Sequence, residues 1–373
     1  MELINSTRMV AGYTMGMEPS GRELLVVVVK GTFQLPAAPE SVRLHDVQVP
    51  LTMSDVFFGE PGRSAPQYEA EFAPRKHRCD VLLNASAHAP GGRPATRVQV
   101  GVRIGAWAKT FAVVGDRHWE AGVSGIGVTP TVPFARMPIT YDRAFGGTDD
   151  RSDDPSQHAA FLANPSGRGF HKSLRNEWVD GSPLPNTEED GKPVTWVSGD
   201  YTPMSFGAVG RHWVPRCRFA GTYDEQWLEN HFPFLPPDFD ERYYQAAPLD
   251  QQIPHPHGGE RIDLVNLTAD GRAAFVLPPF DAPIHYFLKK GDREDSTLTL
   301  DTMMIEPDLQ RFTLTWRATR AIRRNMFEVA QIVVGKRSQA WWAERESLGL
   351  PIQLLVVPSS TAPANEGGSP EVE

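Results

Sequence analysis

Hydrophobic and polar residues alternate most clearly at 97–104, where Val98, Val100, Val102 and Ile104 share one face and Arg97, Gln99, Gly101 and Arg103 the other. A period of two puts the sets on opposite sides of a half-buried strand. Phe111 and Val113 continue in a partner strand, and Gly115-Asp116 supplies turn chemistry before His118 and Trp119. The run 24–29 is instead unbroken and apolar, closed by Lys30 and Gly31, the pattern of a strand buried on both faces. A further strand is expected at 81–87. Two hairpins follow: 262–268 and 272–277 flank Ala269-Asp270-Gly271, and 297–305 and 310–317 flank Glu306-Pro307-Asp308. In the last of these, Phe312, Leu314 and Trp316 alternate with Arg311, Thr313, Thr315 and Arg317. The expectation is a buried aromatic face and a face of charge and hydroxyls turned to water or a partner.

A helix is predicted from Ser338 to Leu348, with Ser338 as N-cap, Gly349 after the last turn and Pro351 forbidding continuation. Trp341, Trp342, Arg345 and Leu348 fall at helical spacing for packing. A last strand is expected at 353–357, and 358–373 has no apolar content to bury, so a disordered tail is expected there. The fold class is therefore mainly β, with antiparallel, sandwich-like sheets, long irregular loops and few short helices. Residues 1–357 form a single large β-rich domain, or two β subdomains at about 1–147 and 200–357 joined by the irregular segment 148–199, in which short strands can hide.

Composition narrows the class. The 33 prolines and 32 glycines favour turns and short strands, while nine tryptophans and nineteen phenylalanines demand a core and exclude a fibrous or wholly disordered chain. A formal charge of −9 argues against a nucleic-acid binder of the usual basic kind. The cluster Arg317, Arg320, Arg323 and Arg324 is read as a solvated face pairing with nearby acids. Cys79 and Cys217 are too few for a disulfide framework and lack a CxxC partner, so free thiols are expected. The first residues lack a basic stretch followed by an apolar run, and the longest apolar run is too short to span a bilayer. A cytoplasmic protein with no membrane insertion and no nucleic-acid partner is expected.

The segment 200–252 crowds aromatics, prolines, glycines and alternating charges together with no period. Ordering such a loop costs conformational entropy, and long ordered loops usually have a function. Asp224, Glu225, Asp238, Asp240 and Glu241 lie amid Trp213, Tyr223, Trp227, Tyr243 and Tyr244, the composition of a sugar-binding cleft with acid/base carboxylates. The preferred reading is that these acids pair with Arg211, Arg216, Arg218 and Arg242 and pin the loop. His255, His257 and Glu260 come nearest to a metal-ligand string, since two imidazoles two residues apart and a following carboxylate can meet one divalent ion. No later histidine sits in a matching strand, and no metal is predicted. His118-Trp119-Glu120 lacks the PCxxC that a zinc deaminase needs. GxSxG, the Walker loop, HExxH and GxGxxG are absent. No catalytic residue, no cofactor and no enzymatic activity are predicted.

The blocks DYTPMSFGAVGRHWVPR, AGTYDEQW, LPPDFDERYYQAAPLDQQ, GGERIDLVNLT, LDTMMIEPD and LTWRATRAIRRNMFEVAQIVVG occur in that order, with PITYDRAFGG upstream. Together they resemble bacterial domain-of-unknown-function family 2169, over most of the chain from the first strands to about Gly335. Members of that family are encoded beside type VI secretion genes. The resemblance implies an adaptor or chaperone that binds a toxic effector, or its PAAR-containing part, stabilises it and loads it onto the VgrG spike. It supplies no catalytic residues. Asp200, Tyr201, Arg211, Trp213, Tyr223, Asp224, Asp240, Arg242, Gln251 and Gln252 belong to the shared pattern and, with Arg216, are candidates for partner contact or for loop scaffold; His255 and His257 lie outside it. Aromatics and arginine on rigid loops suit a protein–protein surface, and a β-rich adaptor can also offer a sheet edge. A carbohydrate-active hydrolase using acids of 224–241, or a structural part of the secretion particle, are the alternatives.

Overall fold

The computed structural model describes residues 1–36, 42–123 and 125–348. A six-stranded sheet lies at its centre, in the order Gln252–Ile253, Cys79–Leu83, Thr299–Glu306, Arg311–Ala321, Glu23–Gln34 and Val10–Met17. Its neighbours are antiparallel except Cys79–Leu83 against Thr299–Glu306, which run parallel. A five-stranded antiparallel sheet runs Thr187–Glu188, Trp107–Val114, Arg97–Ile104, Arg261–Val265, Arg272–Val276. A third sheet orders Glu2–Asn5, Val329–Val334, Pro283–Leu288 and Arg293–Thr297.

One face of the central sheet packs on both other sheets. Val98, Val100, Val102 and Ile104, with Phe111, Ile262 and Phe275, meet Val81, Leu83, Met303, Phe312, Leu314 and Trp316. Phe312 stacks between Phe33 and Phe275, with ring centres 5.2 and 4.9 Å away. Farther along the same face, Leu25, Val27, Val29 and Ala318 meet Ile284, Tyr286, Ile332 and Val334. Burying such side chains stabilises by about 25 cal/mol per Å² of apolar surface, and this face supplies most of the apolar core.

The predicted elements are recognisable. The apolar run sits in a strand buried from Leu24 to Phe33. Both hairpins form, the second closed by Gln310 in a left-handed conformation (φ 51°). The helix spans Gln339–Leu348, with the Ser338 hydroxyl accepting the Trp341 amide at 3.2 Å. Its Arg345 guanidinium lies 4.0 Å from the Phe287 ring centre and 4.6 Å from that of Trp341. The strand expected at 353–357 and the tail at 358–373 lie outside the described residues. The stretch 81–87 divides in two. Cys79–Leu83 joins the central sheet, Ala85–His88 pairs with Arg136–Ile139, and the Asn84 side-chain amide between them donates to the Gln67 carbonyl at 3.0 Å. Segment 148–199 contains two-residue strands, too short to show a period. They surround a small core of Trp119, Phe145, Val179, Leu184, Val194 and Val197.

The other face of the central sheet corrects an expectation. Thr313, Thr315 and Arg317 are buried, not turned to water or a partner. Arg317 pairs with Asp301 and donates to the carbonyls of Glu71 and Ala73, each at 2.7 Å. Lys30 meets Glu71 at 3.0 Å, and Lys76 meets Asp80 at 2.7 Å. The alternation marked two different faces correctly, but the polar one is buried beneath the distant segment that supplies the Glu71 carboxylate and the carbonyls of Glu71 and Ala73. The arginine cluster is corrected likewise. Arg320 pairs with Glu294 and Glu328 and Arg323 with Glu294, yet Arg317 and Arg320 are buried.

Candidate partner-binding surface

The segment 200–252 has a fastened base and a projecting arm. The base is tied to the polar face of the central sheet. Asp80 accepts the Gln245 side-chain amide at 2.7 Å and the Ala246 backbone amide at 2.8 Å. Gln251, fully buried, donates to the carbonyls of Val81 and Phe206 at 2.7 and 3.0 Å and accepts from Lys109 at 2.6 Å. Gln252 pairs in the sheet opposite Asp80 and donates to the Ala247 carbonyl at 2.8 Å. Trp213 is buried edge-on to Tyr141, ring centres 5.3 Å apart. The Tyr201 hydroxyl accepts from the amides of Thr195 and Trp196, and its ring lies 4.8 Å from Phe145. Asp200 is exposed and its side chain has no hydrogen bond among the described residues.

Arg211 and Arg216 are the strongest fasteners, and their partners differ from those expected. Arg211 makes a two-pronged contact with Asp55 (2.7 and 3.2 Å) and reaches Glu69 at 2.7 Å. Arg216 also binds Glu69 and donates to the carbonyls of Tyr243 and Val209 at 2.9 and 3.0 Å. Of the arginines expected to pin the segment's own acids, only Arg242 does so, on Asp240 at 2.8 Å. Arg218 lies over the Phe219 ring at 4.7 Å. The reason is burial: a guanidinium beneath the loop needs an acid on the surface it is pressed against, and Glu69 and Asp55 are there. Burial opposes ionisation of Asp55, but the hydrogen bonds from Arg211 and the Ala70 amide outweigh it and lower its pKa. Burial likewise works against the Arg211 charge, and Glu69 and Asp55 outweigh it, raising that pKa. The sequence gives no local sign of Asp55 or Glu69 in this role. The surplus of arginines over well-placed acids in 205–220 was the available signal.

A cavity of about 110 Å³ remains in this ionic layer, lined by Lys30, Tyr68, Glu69, Glu306 and Arg311 among others. Tyr68 donates to Glu306, which also takes Arg311 at 2.7 Å. Burial, reinforced by Glu306, pushes the Tyr68 phenol up to about 12. Lys30, Tyr68, Glu306 and Arg311 are each committed to a neighbour, an arrangement that fixes chain segments. Of the acids considered for hydrolysis, Asp224, Asp238, Asp240 and Glu241 are committed too, while Glu225 is exposed with no side-chain partner among the described residues. Asp224 caps the helix Glu225–Asn230 by accepting the Trp227 amide at 2.8 Å, and Glu241 meets His77 at 2.8 Å. In the histidine string, the His255 Nδ1 lies 2.9 Å from the Leu300 carbonyl oxygen, and Glu260 accepts the amides of His257 and Gly258. No group of three metal-ligating side chains gathers among the described residues.

The arm spans 221–238. Its neck is clasped where Thr222 donates through its amide and hydroxyl to Asp238, at 2.9 and 2.8 Å. Trp227 organises the tip. Its indole N–H donates to the Phe234 carbonyl at 2.9 Å, and its ring meets Tyr223 and Phe232 edge-on at 4.8 and 5.7 Å. Phe234 rests on the turn at Gly21, where φ is 81° and an added Cβ would approach the ring to 3.0 Å. Held in this way, the arm leaves Tyr223 54%, Leu228 59%, Phe232 63% and Phe234 46% exposed. Four large side chains left exposed between residues 223 and 234 of one ordered element suit contact with another protein. Sequence reasoning named Tyr223 and missed Leu228, Phe232 and Phe234; HFPFLPP, apolar but proline-broken and without period, was their signal.

A family model described as "Uncharacterized protein conserved in bacteria (DUF2169)" matches residues 20–317. Comparison with curated proteins and with solved structures found no match.

Proposed function

We propose, for a chain that belongs to the DUF2169 family of uncharacterized bacterial proteins, a non-enzymatic adaptor role. On this reading the protein binds a type VI secretion effector, or its PAAR-containing part, in the cytoplasm, covers apolar surface on it, and hands it to the VgrG spike. The observation supporting a binding role is the arm: Tyr223, Leu228, Phe232 and Phe234 are exposed on a segment already ordered by Trp227, Asp224 and Asp238. Pre-ordering reduces the entropy lost on association, and exposed aromatics are frequent anchors of binding energy. The secretion context rests on the sequence blocks shared with the family. No described helix is long and apolar enough to cross a membrane.

The test is co-expression with a tagged PAAR or toxin protein encoded beside the gene. The expected result is retention of the partner by the intact chain, loss of retention with Leu228→Ser and Phe232→Ser combined, and a fall in effector level on deletion. No retention, with an unchanged effector level on deletion, would sink the reading.

A further inference from the structure

In the five-stranded sheet, strand Arg272–Val276 has a neighbour on one side only. The bonds from the Asn266 amide to the Gly271 carbonyl and from the Leu277 amide to the Glu260 carbonyl show which backbone groups face Arg261–Val265. They are those of 271, 273, 275 and 277, because antiparallel pairing engages every second residue. The amides and carbonyls of Arg272, Ala274 and Val276 therefore point outward, and none has a hydrogen-bond partner among the described residues. Such an edge invites another strand unless charge, proline or a bulge blunts it. The edge strand Arg293–Thr297 is blunted by Arg293, Glu294 and Asp295. Arg272–Val276 reads RAAFV, pairs without a register shift and contains no proline.

Clefts lie on both sides of this edge. On the outer face one of about 410 Å³ is floored by Gly101, Ala108 and Ala274 and rimmed by Arg103, Arg261 and Arg272. Asp263, its one acid, is taken by Arg261 at 2.8 Å, while Arg103 and Arg272 are exposed and have no ion pair among the described residues. On the other side a cleft of about 460 Å³ includes Leu35, Pro36, Ala273 and Leu309, with Asp308 taken by Arg136 at 3.0 Å. A strand laid along the edge would direct alternate side chains to the two clefts. Cationic on one side and partly apolar on the other, in a chain of net charge −9, they fit an occupant that alternates acidic and apolar residues.

We infer that the edge of Arg272–Val276 accepts, by strand addition, an extended partner segment with acidic side chains at alternate positions. This rests on the reading of the chain as a binding protein, and it uses a surface other than the arm. Main-chain hydrogen bonds would hold the segment, and Arg103 and Arg272 would select its charge.

The probe is a labelled short peptide alternating glutamate and valine, titrated into the full chain at low salt and followed by anisotropy, with hydrogen exchange on the complex. Saturable binding is expected, with slowed exchange at Arg272, Ala274 and Val276, and about tenfold weaker binding to the Arg103→Glu, Arg272→Glu variant. Ala274→Pro, which removes an outward amide an edge can spare, should also weaken it; should that variant misfold, the exchange pattern of the unmodified chain decides. The inference is overturned by no binding, by equal binding of a lysine–valine peptide, or by binding without edge protection. The Leu228→Ser, Phe232→Ser variant should bind the peptide unchanged, so a failure at the edge and a failure at the arm are told apart.

Discussion

Both faces of the six-stranded sheet are buried, one by apolar contact and the other by charge. The first is covered by two other sheets, whose side chains need only be apolar and of roughly the right volume. The second is covered by loops, and the buried charges there have specific partners: Arg317 with Asp301, Lys30 with Glu71, Lys76 with Asp80. An apolar face stabilises whatever covers it. A charged face holds a covering segment in one place, because a shifted loop would leave a charge buried without its counter-charge. The base of 200–252 is held in that way, and the arm is displayed as a consequence.

The largest expected effect breaks the charged face at its centre. Asp301→Ala leaves the Arg317 guanidinium buried and unpaired and is expected to lower stability by about 3–5 kcal/mol, read as a fall in the urea midpoint. On the apolar face, Leu314→Ala is expected to remove about 2–4 kcal/mol. The two losses should differ in kind. Adding Arg317→Met to Asp301→Ala should restore about 1–2 kcal/mol by removing the orphaned charge, while no second truncation beside Leu314 should restore anything. A double variant as unstable as Asp301→Ala alone would mean that the bonds from Arg317 to the Glu71 and Ala73 carbonyls, not the ion pair, hold the face.

Acid sharpens the same contrast more gently. The Asp55 pKa is lowered from 3.8 by Arg211 and the Ala70 amide against the opposing effect of burial. A carboxylate whose folded pKa is depressed contributes stability that is present above its unfolded pKa and lost as pH falls through its folded pKa. The fastening of the base is therefore expected to weaken below about pH 3.8. Urea midpoints measured from about pH 5 to about pH 2 should fall less steeply for Asp55→Asn than for the unmodified chain.

The two faces also differ in how far the sequence reveals them. Apolar residues declare themselves by period: Val98 to Ile104 and Phe312 to Trp316 face the core as the alternation predicts. The polar positions between them carry no instruction about what will cover them. The partners of Arg211 and Arg216, Asp55 and Glu69, lie 156 and 147 positions away in sequence, and no local pattern links them. Segment 148–199 was illegible for another reason, since its strands of two residues cannot display a period of two. Of the site, Trp213 and Gln251 are buried and Gln252 pairs within the central sheet. Tyr223 reached the surface, and Asp224 serves there as a helix cap.

The smallest effect on stability is expected at the arm, and it separates display from fastening. Phe232 and Leu228 are mostly exposed, so replacing each by serine should change stability by less than about 0.5 kcal/mol, within the scatter of surface substitutions. Retention of a partner should nevertheless be lost, because on the proposed reading the truncated side chains make the contact. Glu69→Gln is the complementary change. It leaves the arm's own residues intact but removes the acid shared by Arg211 and Arg216, so the base should loosen and both stability and retention should fall. If Glu69→Gln weakened folding yet left retention whole, the arm would not depend on the charged face for its presentation. If the serine variants retained the partner, the apolar tip would not be the contact, and binding would have to lie elsewhere on the surface.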